Sequence, residues 1–202
     1  MKVIGITGGV GAGKSALLSY VERNYNCQVI LADQAAHLLQ GKGEACYNAV
    51  VEMLGRDCLD SDGNINKKKM ADRIFANPAL LQKINAIVHP AVREYIFSQI
   101  DEARKENVLD FLFIEAALLI ESGFEDIVDE LWYIHADREV RRKRLRTSRA
   151  YSAQKTEQIM ASQLSEDTFR KHCTVVIDNS GTFESACKQI HEKLGDYLWQ
   201  KN

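Results

Sequence analysis

Gly8-Gly9-Val10-Gly11-Ala12-Gly13-Lys14-Ser15 has the spacing G-x-x-x-x-G-K-[ST] of a phosphate-cradling loop, entered from the apolar run Val3-Ile4-Gly5-Ile6-Thr7 and followed by helix formers from Ala16 onward. Glycines let backbone N–H groups turn inward around phosphates, and the N-terminus of the next helix adds partial positive charge. On this reading Gly9, Val10, Gly11, Ala12, Gly13, Lys14, Ser15 and Ala16 hold a nucleoside triphosphate. Lys14 pairs with the β- and γ-phosphates, and Ser15 places its hydroxyl on Mg2+, a small hard cation that takes oxygen ligands. The competing reading is a glycine-rich strand-to-helix turn that binds nothing.

Other chemistry-bearing residues fall at comparable places. Asp33 follows the apolar run 28–32 and is a candidate base for an acceptor hydroxyl in line with the γ-phosphate; its alternative role is to cap a helix over 34–40. Glu115 ends another apolar run, where a second carboxylate commonly holds magnesium directly or through water; a partly solvated strand-end carboxylate is the alternative. His89 and Arg93 lie about one helical turn apart around Pro90 and are placed to meet a substrate phosphate, although His89 also suits a helix start. Residues 138–149 carry seven basic side chains among twelve. Beside a phosphate loop, this helix reads as a lid whose arginines close over the transferring phosphoryl group; a solvated basic face or a nucleic-acid patch are the alternatives.

These residues need elements to position them. Apolar runs at 3–7, 27–32, 108–114, 131–135 and 174–177 alternate with helical stretches, the pattern of a parallel α/β sheet, and ligands of such sheets bind at the carboxyl ends of strands. Between the second and third runs, helical patterns at 44–54, 67–75, 78–88 and 90–106 form an insertion. Asn77-Pro78 supplies a cap and a first-position proline, and His89-Pro90 is expected to break one helix from the next. Asp60-Ser61-Asp62-Gly63-Asn64 resembles a calcium loop only superficially, since the remaining ligand positions are not acidic, and it reads as a surface turn.

A chain of 202 residues with 46% hydrophobic and 27% charged residues is ordinary globular composition. A formal net charge of −2 argues against a general nucleic-acid or membrane binder. The longest apolar run, 111–120, is interrupted by Glu115 and too short to span a bilayer. Cys27, Cys46, Cys58, Cys173 and Cys187 form no C-x-x-C pair and read as reduced thiols, so cytoplasmic residence is expected.

Along nearly its whole length the chain resembles the dephospho-coenzyme A kinases. The residues that carry the likeness are 5–15 around the phosphate loop, Ala32-Asp33, His89-Pro90-Ala91-Val92-Arg93, Glu115-Ala116-Ala117-Leu118-Leu119-Ile120-Glu121, Arg144-Leu145, Gln163, and Val176-Ile177-Asp178-Asn179-Ser180-Gly181. The phosphate loop is shared by many families; its combination with the histidine–proline–arginine and closing Ile-Asp-Asn-Ser-Gly blocks is much more specific. The resemblance implies transfer of the γ-phosphate of ATP to the ribose 3′-hydroxyl of dephospho-coenzyme A, the last step of coenzyme A synthesis. It implies an α/β fold: a three-layer P-loop kinase core with a five-stranded parallel sheet (1–40, 108–136, 173–202), a helical substrate-binding insertion (41–107) and a helical lid (137–172). It makes Asp33 the base, sets Lys14 and Ser15 on ATP and Mg2+, brings Arg144 from the lid onto ATP as a catalytic residue alongside Asp33 and Lys14, and places Asn179 near the adenine. Thr7, Asp33, His89, Arg93, Glu115 and Leu118 fall to the substrate side, with Glu115 also toward the metal. The implied partner is a small molecule rather than nucleic acid or membrane, and the implied protein a monomer or small homo-oligomer.

The chain departs from the family pattern at Leu31 and Glu115, where aspartates are usual, at Ala117 and Ile120, usually proline and phenylalanine, and at Phe169, often lysine. A common lid arginine falls at Ser148, with Arg149 one residue beyond. Another small-molecule kinase, such as a nucleoside monophosphate kinase, and a non-catalytic nucleotide-binding relic are the competing functions.

Overall fold

The computed structural model describes residues 1–116, 119–120, 123–149 and 151–199, without the side chains of 125, 148 and 149. It contains a five-stranded sheet in the order β2-β3-β1-β4-β5, built from β1 (Lys2–Thr7), β2 (Cys27–Leu31), β3 (Phe111–Glu115), β4 (Glu130–His135) and β5 (Val175–Asp178). The pairings of β1 with β3, β1 with β4, and β4 with β5 are parallel. Strands covered on both faces need continuous apolar runs rather than alternation. Phe111, Leu112, Phe113 and Ile114 meet that need in β3, as Leu131, Trp132, Tyr133 and Ile134 do in β4, all buried. The register sets Ile6 opposite Glu115 on one side and Trp132 on the other, so the carboxylate ends level with the start of the phosphate loop.

The chain divides into two compact units, residues 1–29 with 106–202, and residues 30–105. The first holds α1 (Lys14–Asn24), α6 (Arg138–Arg149), α7 (Ala153–Ala161), α8 (Glu166–His172) and α9 (Phe183–Trp199). Helix α9 packs on β5 and α1, and α8 on β4.

The second unit carries α2 (Ala32–Leu39), α3 (Tyr47–Leu54), α4 (Lys67–Ala76) and most of α5 (Pro78–Glu106). The expected break at His89-Pro90 is absent, because α5 runs through Pro90. Leu80, Ile84, Val88, Val92, Ile96 and Ile100 are buried at steps of four along one stripe, which crosses the exposed proline without a change of phase. Packing of that stripe outweighs the roughly 3 kcal/mol that an interior proline costs a helix. Pro78 does stand first in α5, after Asn77 closes α4 by donating its amide to the Arg73 carbonyl at 3.0 Å. Residues 60–64 form a turn in which the Asp60 carboxylate accepts from the Asp62 and Asn64 amides at 3.1 and 2.9 Å.

Candidate active site

The phosphate loop is delivered by β1, the central strand, whose last residue Thr7 is buried. Helix α1 begins at Lys14 behind Gly13, which caps it in the left-handed region at φ 94°, with no side-chain cap and no acidic residue in the first turn. The helix's own cap and first turn thus place no carboxylate at its positive end, which suits an anion. Gly13 cannot be replaced at low cost: besides its φ, an added Cβ would lie 2.4 Å from Asn179 Nδ2. Ser15 and Ala16 follow on the exposed face of the first turn.

Lys14 folds back over the loop. Its Nζ donates to the Gly8 carbonyl at 2.7 Å and stands 3.4 Å from Glu115 Oε1. Their side chains are only 12% and 18% exposed, so the two groups face each other largely shielded from solvent. Among the described residues, the buried side-chain polar atoms without a hydrogen bond are Thr7 Oγ1 and Asn179 Oδ1. Thr7 immediately precedes the loop, and the amide of Asn179 reaches into it. Buried polar atoms are ordinarily hydrogen-bonded, and a nucleotide seated on the loop would offer these two a partner.

The twelve-residue basic helix divides its charges between two tasks. Arg138 and Arg142 face α7, where both hold Glu157, and Arg142 also holds Glu139. Hydrogen bonds from Arg142 first and Arg138 second hold the Glu157 carboxyl down to about 2. Arg144 faces the loop instead, donating Nη1 to the Ala12 carbonyl at 3.2 Å and Nη2 to the Asn179 carbonyl at 2.9 Å. Asn179, 3% exposed, donates Nδ2 to the same Ala12 carbonyl at 2.7 Å, while its own amide donates to the His135 carbonyl at 2.8 Å. The turn behind it is tied by Asp178, whose carboxyl is held below its ordinary range chiefly by the Ser180 hydroxyl. Thus α6, β5 and the loop converge on Ala12.

Asp33, His89 and Arg93 belong to the second unit. Asp33 is not a cap: α2 starts at Ala32, the cap position is Leu31, and the Asp33 side chain is exposed in the first turn. His89 does not start a helix either, and lies four residues before Arg93 within α5, exposed where Arg93 is half-buried. Leu118 lies outside the described residues, as do Ala117 and Glu121. Phe169 explains one departure from the family pattern: it is 4% exposed and stacks on Tyr133 with centroids 4.8 Å apart, so a core aromatic pair occupies a position that is often lysine.

Sequence reasoning passed over Arg141 and took Gln163 only as a landmark. Arg141 Nε donates to the Val10 carbonyl at 3.0 Å, and Gln163 Oε1 accepts from the Val10 amide at 3.2 Å and from Arg141 Nη2. The available signal was position, because Arg141 is three residues before Arg144 and so shares its helix face.

Comparison with known proteins bears on the chain as a whole. The model of a family described as dephospho-CoA kinase matches residues 2–185. The dephospho-CoA kinase of Streptococcus mutans is 34% identical over 193 residues, spanning 96% of each chain. That of Geobacter sulfurreducens is 35% identical over 201 residues, spanning 100% of this chain and 98% of its own. Among solved structures, a dephospho-CoA kinase from Campylobacter jejuni superposes with a TM-score of 0.75 at 20% identity over 100% of both chains. A shikimate kinase from Acinetobacter baumannii superposes at 0.55 with 10% identity over 100% of this chain and 95% of its own. At those identities the superpositions speak for the P-loop kinase fold alone.

Proposed function

The chain belongs to the dephospho-CoA kinase family, and from that premise we propose how its residues divide the phosphorylation of dephospho-coenzyme A to coenzyme A by ATP. The family match gives no support to a nucleoside monophosphate kinase or to a non-catalytic relic. The γ-phosphoryl group passes to the ribose 3′-hydroxyl: a bond forms from that oxygen to phosphorus, the bond to the β-phosphate oxygen breaks, and ADP leaves.

The observation that carries the assignment is the Lys14 ammonium, held over the loop by Gly8 and Glu115 beside an uncapped helix start. Residues 9–16 would cradle the phosphates, with Lys14 exchanging its internal partners for phosphate oxygens. Arg144 and Asn179 would fix the nucleotide through Ala12, and the unpaired Asn179 Oδ1 would serve the adenine side. Asp33 would accept the proton of the 3′-hydroxyl, and Thr7, His89, Arg93, Glu115 and Leu118 would complete the acceptor side. The donor set near the loop, the Ser15 hydroxyl and the Glu115 carboxylate, suits Mg2+, which binds few protein oxygens and takes phosphate and water for the rest. Bound there, Mg2+ would neutralise charge on the β- and γ-oxygens. Residues 1–40, 108–136 and 173–202 would form the nucleotide core, 41–107 the substrate insertion and 137–172 the lid. Cytoplasmic residence fits the five cysteines, all free thiols.

The Asp33→Asn variant tests the division of labour. It keeps ATP affinity within about 2-fold and lowers acceptor phosphorylation by about 10²-fold or more, the scale of a lost positioned base. Equal loss of ATP binding and turnover would remove Asp33 from the acceptor side.

A further inference from the structure

Arg141 is built into the phosphate loop itself, and none of the roles assigned above uses it. Its Nε donates to the Val10 carbonyl at 3.0 Å, its Nη2 donates to Gln163 Oε1, and that same oxygen accepts the Val10 amide at 3.2 Å. Both polar backbone atoms of Val10 are therefore taken by one closed ring of hydrogen bonds. The guanidinium also occupies the space beside Gly9, where an added Cβ would lie 2.4 Å from Arg141 Cζ and 2.3 Å from Nη2. At Gly11 a Cβ would lie 3.0 Å from the Arg141 carbonyl oxygen and 3.1 Å from Leu145 Cγ. The outer turn of the loop is thus moulded against α6. Burial lowers the pKa of Arg141, but a guanidinium stays charged in a protein.

We infer that Arg141 and Gln163 are positioning residues that hold residues 9–11 in the nucleotide-binding shape, and that Gly9 is glycine in order to admit the Arg141 guanidinium. The inference rests on the loop being the ATP seat. An unpinned turn samples other backbone conformations and must be ordered when ATP binds, so the loss appears in nucleotide affinity and not in the recognition of the acceptor. Gln163 stands between α7 and α8, so its oxygen links that connection to the loop through the same ring.

The test is a cycle of Gly9→Ala, Arg141→Ala and the double variant, with ATP dissociation constants from calorimetry, KM for dephospho-coenzyme A, and Tm. Each single change is expected to weaken ATP by about 10-fold, and the double variant by no more than about 2-fold beyond either, because both displace the same guanidinium. KM for the acceptor stays within about 2-fold. Gln163→Leu reproduces the effect from the other side of the ring and serves if Arg141→Ala does not fold. Lys143→Ala removes one charge from the exposed face of α6 and leaves ATP affinity unchanged. Additive losses in the cycle, an equal loss in Lys143→Ala, or a drop in Tm with unchanged ATP affinity would each overturn the inference. Failure of the wild-type protein to bind ATP would instead overturn the reading of the loop.

Discussion

Removing the Lys14 ammonium does more than delete a positive charge, because it bares the carboxylate 3.4 Å away. At an effective dielectric of about 20, opposite charges at that separation attract by about 4–5 kcal/mol, and a phosphate charge at roughly twice the distance would be repelled by the bared Glu115 with about 2 kcal/mol, or about 30-fold in Kd. Lys14→Ala is therefore expected to weaken ATP by more than the about 10-fold usual for one lost charged hydrogen bond, reaching about 10²-fold or beyond. Adding Glu115→Gln to that variant removes the repulsion and should restore about 30-fold of the affinity when binding is measured by calorimetry with chelator present. With magnesium present, the restoration shrinks, because the amide is a poorer ligand for that cation than the carboxylate. A double variant that binds ATP no better than Lys14→Ala in chelator would refute the coupling of these two charges, and with it the placement of Lys14 as the group that exchanges Glu115 for phosphate.

Two further outcomes follow from the basic helix. Arg144→Ala removes two hydrogen bonds from a charged donor to the Ala12 and Asn179 carbonyls; it should weaken ATP by about 10-fold while leaving acceptor KM unchanged, and a change confined to nucleic-acid retention would contradict it. Glu157 has its carboxyl lowered from 4.5 to about 2, so its contribution to holding α7 against α6 is fully present above the unfolded value and is lost as pH falls through the folded one. The stability difference between the wild-type protein and Glu157→Gln should therefore close as pH is lowered from about 4.5 to about 2, and a difference independent of pH across that window would show that the Arg142 and Arg138 contacts do not matter in solution.

Much of the fold is legible in the sequence because its signals are local and strong. Strands buried on both faces announce themselves as continuous apolar runs, and all five observed strands fall within one or a few residues of those runs. The phosphate loop carries its own spacing. What escapes is set by tertiary packing. Pro90 is a correct local breaker signal overridden by the stripe from Leu80 to Ile100, whose phase becomes visible only when the helices on either side are read as one. Asp33 looks like a cap because it follows a strand, yet α2 begins one residue earlier and leaves the carboxylate exposed. The basic helix shows its composition but not its allocation: only the fold decides that Arg138 and Arg142 meet Glu157 while Arg141 and Arg144 meet loop carbonyls. Lys14 and Glu115 are 101 residues apart in sequence and are brought together by the register of β1 on β3.

The most direct measurement is ADP release from ATP in the presence of magnesium, with dephospho-coenzyme A, with a panel of nucleoside monophosphates and shikimate, and with no acceptor, the product of each reaction being weighed by mass spectrometry. Turnover is expected with dephospho-coenzyme A alone, giving a product heavier by one phosphoryl group, carried on the ribose 3′-oxygen. ADP release that ignores dephospho-coenzyme A, or a phosphorylated product from another acceptor only, would contradict it.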